Sequence, residues 1–181
     1  VIASGNVKKR REIEQLLGQA ECQVLTLKDF PGCPEVEETG KTFADNAALK
    51  ALAVTEYTGL PALADDSGLE VDALGGEPGV KSARYASASG DENASDEANT
   101  ALLLEKLKGV PEGKRGARFV CAMVLAVPDS EKGARQAAES HGKVEGRIAF
   151  EPAGSQGFGY DPVFIPEGHE QTFGQLGAEI K

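Results

Sequence analysis

The chain has 181 residues, 40% of them hydrophobic and 27% charged, which is the balance of a folded domain and not of a disordered one. Its net charge of −10 and pI near 4.8 exclude bulk nucleic-acid binding, which needs a basic surface, and no apolar run approaches the ~18 residues of a membrane span. Cys22, Cys33 and Cys121 are widely spaced with no C-x-x-C pair, so they read as free thiols of a reducing cytoplasm. Val1 to Asn6 lacks the apolar stretch of a signal peptide, and residues 1–181 read as one domain.

Val1 to Ala3 reads as the end of a strand, followed by a Ser4-Gly5-Asn6 turn. Ile13, Leu16 and Leu17 recur at helical spacing, which predicts a helix from about Val7 to Leu17 that stops at Gly18. Cys22 to Leu27 is a strand candidate, and Lys28 to Gly40 is a loop carrying Glu35, Glu37 and Glu38. Thr42 with Asp45 three residues on is a capping box, opening a helix from Phe43 to about Tyr57 that ends at Gly59. Asn46 and Lys50 lie one turn apart on its face. Leu60 to Ala64 predicts a strand that exits into Asp65-Asp66 and turns on Ser67-Gly68, with Leu69 to Val71 extending the sheet. Gly75 to Gly79 is a tight loop, Ser87 to Asp96 an exposed one, and a helix is expected from Ser95 to Lys108 with Ala98, Leu102, Leu103 and Leu107 inward. Residues 115–127 and about 136–150 are strand-like around a turn at 129–133, and Val163 to Ile165 is a last short strand. The mixture predicts an α/β fold with a sheet part parallel and part antiparallel, and a ligand cleft between an N-terminal lobe and the later hairpin.

Three constellations carry chemistry. The Ser4-Gly5-Asn6 turn leads into a helix N-terminus, where unpaired N–H groups suit phosphate and Lys9 adds a full charge; a plain helix cap is the alternative reading. Glu37 or Glu38 in one loop and Asp65 and Asp66 in another offer hard oxygen ligands of the kind Mg²⁺ takes, alongside the reading of ordinary acidic loops. Phe158-Gly159-Tyr160-Asp161 can present a flat apolar face to a base, or simply anchor a turn with a core aromatic. His141 and His169 have no partners at triad or ligand spacing.

Taken in order, Ser4 to Lys9, Glu37 to Phe43 with Asn46-Ala47 and Lys50-Ala51, Ala64 to Leu69, Ala73 to Gly76, Pro78-Gly79, Ser82 to Tyr85 and Gly157 to Pro162 closely resemble the inosine triphosphate pyrophosphatase family over nearly the whole chain. The resemblance implies an elongated mixed β-sheet flanked by helices in two lobes with the active site in the cleft, usually as a homodimer. It implies Mg²⁺-dependent hydrolysis of ITP, dITP or XTP to the monophosphate and pyrophosphate. By the family's motifs, Asp66 matches the general base and a metal ligand, and Glu37 the second metal carboxylate. Ser4, Gly5, Asn6, Val7, Lys8 and Lys9 match the triphosphate loop, Lys50 a helix lysine that reaches phosphate, and Ser67 a substrate contact. Phe158, Gly159, Tyr160 and Asp161 match the base-binding loop, and Lys181 a substrate-contacting lysine. Asp45 stands where Glu is usual, and the family's Ser-His-Arg segment would follow Lys181.

Two rival readings make different predictions. An aspartyl-phosphate phosphatase would use Asp65 or Asp66 as nucleophile, but the second Asp such enzymes place two residues later is missing. A nucleotide sensor would keep the pocket without turnover.

Overall fold

Thr42 and Asp45 close the capping box read from the sequence: the Asp45 N–H donates to Thr42 Oγ1 at 3.1 Å, and the Thr42 N–H to Asp45 Oδ2 at 3.0 Å. Two orphan N–H groups are satisfied at once. In the computed structural model, which describes residues 1–6, 9–10, 13–15, 18, 23–89 and 92–176, helix α1 accordingly spans Phe43–Thr58 and stops on Gly59 at φ +69°. Helix α2 spans Asp96–Lys106, with Ser95 as N-cap accepting from the Ala98 N–H at 3.1 Å. The strands are β1 (Ala62–Val71), β2 (Gly116–Asp129), β3 (Gly133–Ile148) and β4 (Phe164–Pro166), hydrogen-bonded in the order β1-β2-β3-β4. β3 and β4 are antiparallel, with Arg147 opposite Ile165. Ile2, by contrast, makes parallel bridges to Thr26 and Leu63, so the sheet is mixed, as expected.

The chain divides into two compact units, Val1–Asp66 with Cys121–His141, and Ser67–Val120 with Gly142–Lys181. The core of the first is built of small residues: Ala3, Ala47, Ala51, Val54, Ala62, Ala64, Val124 and Ala126. Such side chains let α1 approach β1 closely. The second unit is filled by large ones, among them Leu69, Val71, Leu103, Leu107 and Val163, with Phe119, Phe164 and Phe173 clustered at centroid distances of 4.7 to 6.2 Å. Arg115 is also buried there, and its guanidinium donates to the carbonyls of Leu107, Val110, Ile148 and Ala149. That single side chain ties off the end of α2 and the end of β3.

Several local expectations are corrected. The predicted turn at Ser67-Gly68 does not form; β1 runs unbroken through Asp65-Asp66-Ser67-Gly68. Ala64, Asp65, Asp66, Gly68 and Leu69 are all buried there, so ladder pairing and packing on both faces override turn propensity. Residues 23–25 are not a strand, and Leu27–Asp29 is a 3-10 turn held by Asp29 Oδ2 on the Thr26 N–H at 2.8 Å. Along α2, Ala98 is exposed, while Asn99 and Thr100 are buried beside Leu103. The strands of the hairpin begin and end within a few residues of expectation. Of the helix expected at 7–17, Lys9, Arg10 and residues 13–15 are helical, while Val7, Lys8, Leu16 and Leu17 lie outside the described residues, as do Cys22 and Lys181.

Candidate active site

The first unit gathers the charged residues. Asn6 caps the helical residues that begin to be described at Lys9, its Oδ1 accepting from the Lys9 N–H at 3.3 Å, while Ser4 Oγ accepts from the Asn6 N–H at 3.3 Å. The turn therefore lies at a helix N-terminus, with Gly5 exposed and open space where its Cβ would stand. Lys9 lies one turn on, and its Nζ meets Asp65 Oδ2 at 2.8 Å. Burial alone would lower the proton affinity of this ammonium. The carboxylates of Asp65 and, further off, Asp66 outweigh it and hold Lys9 above its ordinary range.

Asp66 forms the second cluster, with Asn46, Lys50 and Glu38. Asn46 is fully buried; its Nδ2 donates to Asp66 Oδ2 at 3.0 Å and its Oδ1 accepts from the Gly40 N–H at 2.8 Å. A Cβ on Gly40 would stand 2.5 Å from that oxygen, so the close approach requires glycine here. Lys50 Nζ donates to Glu38 Oε1 at 2.8 Å and lies 3.7 Å from Asp66 Oδ1. Burial pushes the Asp66 carboxyl above the usual carboxylate range; Lys50 opposes this, Glu38 adds to it, and the Asn46 bond and Lys9 pull back. A carboxylate raised by its surroundings toward working pH is what a general base needs.

Of the residues expected from the sequence, the structure brings Lys9 to Asp65 and Lys50 to Asp66. It is Glu38 that pairs with Lys50, while Glu37 is exposed in the same loop with its carbonyl accepting from the Thr39 N–H. Ser67 follows Asp66 in β1 and is half-buried. Val7, Lys8 and Lys181 lie outside the described residues.

The donor set suits a hard divalent cation. It is made of carboxylate oxygens, and Asp65 Oδ1 is buried with no hydrogen-bond partner. Among the described residues no three Asp, Glu, His or Cys side chains converge on one point, but Mg²⁺ asks for only one or two carboxylates besides water and phosphate.

In the second unit, residues 157–161 form a turn in which the Phe158 N–H donates to Asp161 Oδ2 at 2.8 Å and the Asp161 N–H to the Phe158 carbonyl at 3.2 Å. Gly157 has φ +79°, and a Cβ there would collide with the Asp161 carboxylate. Tyr160 is buried and donates its hydroxyl to the Ser82 carbonyl at 2.9 Å; burial pushes its phenol far up. Phe158 remains half-exposed. Sequence reasoning passed over Asn46 as a functional residue, although its position one turn before Lys50 was the available signal. It passed over Asp96, discussed below, altogether.

An α/β protein with an acid pair inside a strand, two lysines set against it and a glycine-flanked aromatic turn has the equipment of a phosphate-ester or anhydride hydrolase. The family model described as the Ham1 family matches residues 1–181, and the chain belongs to that family. It is 50% identical to a protein of Desulforamulus reducens named dITP/XTP pyrophosphatase, over 100% of this chain and 86% of that one. A Geobacter sulfurreducens protein of the same name is 49% identical with the same coverage. Among solved structures, a HAM1 protein from Coxiella burnetii aligns with a TM-score of 0.86 at 40% identity, covering 99% of this chain and 87% of that one. A nucleoside-triphosphatase / dITP/XTP pyrophosphatase from Mycobacterium abscessus aligns at 0.80 with 43% identity, covering 98% and 88%.

Proposed function

We propose that this chain hydrolyses the non-standard purine nucleoside triphosphates ITP, dITP and XTP to the monophosphate and pyrophosphate, removing them from the nucleotide pool. The reading is supported by the names of its relatives. The observation that carries it in this molecule is the alternation of cations and carboxylates in the first unit, Lys9 on Asp65 and Lys50 on Glu38 and Asp66. Lysines held this way are positioned before any phosphate arrives, and a site prepared in advance avoids reorganisation during the reaction.

Asp66 orients a water and accepts its proton as the water oxygen bonds to the α-phosphorus. The bond from the α-phosphorus to the bridging oxygen breaks, and pyrophosphate leaves with that oxygen and its electron pair. Lys9 and Lys50 offset the charge that builds on the leaving group. Glu37 and Asp66, with Glu38 and Asp65 beside them in sequence, are the residues that would hold magnesium. When bound, that ion neutralises phosphate charge and acidifies water. The purine stacks on Phe158. The N–H groups of Phe158 and Gly159 already serve Asp161 and Asp96, so recognition of the 6-oxo group falls to other donors. The reading includes a homodimer in the cytoplasm, the latter supported by Cys33 and Cys121, which form no disulfide among the described residues.

The test is Mg²⁺-dependent turnover of ITP, dITP and XTP against ATP and GTP, with product analysis. Pyrophosphate release with preference for the oxo purines is expected. Orthophosphate as product would overturn the reading in favour of an aspartyl-phosphate route. Tight nucleotide binding without turnover would leave a sensor.

A further inference from the structure

Side chains hold residues 157–161 at three points, beside backbone bonds such as the Asp161 N–H on the Phe158 carbonyl, and two of the three come from the turn's own residues. Asp161 fastens the Phe158 N–H from beneath, and Tyr160 reaches the Ser82 carbonyl through the core. The third point is Gly159, which at φ +58° has no side chain of its own to fix it. Its N–H donates to Asp96 Oδ2 at 2.7 Å, a charge-assisted bond of the shorter kind.

Asp96 is the first residue of α2, where a carboxylate ordinarily serves the helix N-terminus. The cap there is already supplied by Ser95 Oγ on the Ala98 N–H. One carboxylate oxygen of Asp96 is therefore committed to a residue far away in sequence. The helix that carries it is itself fixed within the same unit. Buried Asn99 accepts from the Ala86 N–H at 2.8 Å and donates to the Ala83 carbonyl at 3.0 Å. Asp96 is thus a rigidly mounted hand on the N–H side of the Phe158–Gly159 peptide, whose carbonyl side accepts from the Asp161 N–H at 3.2 Å.

We propose that Asp96 is a positioning residue for nucleotide recognition. By fixing the Phe158–Gly159 peptide plane it sets the direction of the Phe158 ring before the base arrives. The proposal rests on the reading above that Phe158 carries the purine. Without the bond, the Gly159 N–H loses its anchor while the other bonds of the turn remain, and the orientation of that peptide must be fixed at each binding event. That cost falls equally on ground state and transition state, so it shows in KM and not in kcat.

The experiment compares Asp96→Ala, Asp96→Asn and Ser95→Ala with the wild type, using ITP as substrate, and measures Gly159 amide exchange in the free protein. Asp96→Ala is expected to raise KM about tenfold, with kcat changed less than about twofold, on the usual worth of a hydrogen bond to a charged group. Asp96→Asn, which keeps an acceptor oxygen, should recover most of that loss. Ser95→Ala weakens the same helix terminus but leaves the Gly159 bond, so its melting temperature falls while KM stays. Gly159 exchange should speed up in Asp96→Ala alone. An unchanged KM in Asp96→Ala, or an equal rise in Ser95→Ala, overturns the proposal. Should the wild type not turn over ITP, the base-binding reading fails by itself; an unaltered Gly159 exchange rate in Asp96→Ala then shows separately that Asp96 does not hold the turn.

Discussion

Asp66→Asn should make the protein more stable while disabling it. Asp66 is only 7% exposed, and burial is the largest influence on its carboxyl, ahead of the attraction of Lys50. Its folded-state proton affinity is raised, so the native state holds that proton more tightly than the unfolded chain does. Stability is then fullest below the unfolded carboxylate range and is lost as pH rises through the folded value. At pH 7 the ionised group is therefore a net cost. The asparagine amide can keep its oxygen toward Asn46 Nδ2, now 3.0 Å from Asp66 Oδ2, and the repulsion from Glu38 disappears. Its NH₂ would then face Lys50 Nζ, 3.7 Å from Asp66 Oδ1, which limits the gain. A net stabilisation of about 1 kcal/mol is expected, ~2–4 °C in melting temperature for a chain of this size, alongside a loss of roughly 10²–10⁴ in kcat. Thermal unfolding at pH 7 and pH 5 with steady-state ITP turnover measures both. The stabilisation should shrink at the lower pH. Destabilisation at pH 7, or turnover near the wild-type rate, would refute the assignment of Asp66 as a strained general base.

Lys50→Met removes the strongest influence favouring ionised Asp66, so the acid limb of the kcat/KM profile should move to higher pH. Its position, separate from the plateau height, is the readout, and a limb that stays or moves down would contradict the pairing. Arg115→Met strips the donors from the carbonyls of Leu107, Val110, Ile148 and Ala149 and should cost about 3 kcal/mol. Calorimetry showing a loss under about 1 kcal/mol would mean those carbonyls find other partners.

Where a rule of local chemistry acts alone, the sequence was legible. Thr42, Asp45 and Gly59 mark α1 at both ends because capping is decided within one turn of helix. Ser67-Gly68 misled for the opposite reason: its turn propensity is local, but the burial of β1 on both faces is not. Apolar spacing predicts Ala98 inward because it is blind to polar anchors, whereas α2 turns Asn99 inward to satisfy the backbone at Ala83 and Ala86. At the site, charge type and order were readable, as with Asp66 and Lys50 sharing a cluster. Which glutamate of the pair 37–38 reaches Lys50 was not, since both sit in an irregular loop with no period to orient them.

The side chain of Asn46 is used at both ends, and this narrows what can stand at the position. Aspartate would confront Asp66 with a second anion, a hydrocarbon would strand a donor at Gly40 and an acceptor at Asp66, and glutamine would overshoot by a methylene. One carboxamide thereby acts as a mechanical link between a strand and a loop. Any shift of the Asp66 carboxylate is carried to the Gly40 backbone, two residues from Glu38, through a single side chain.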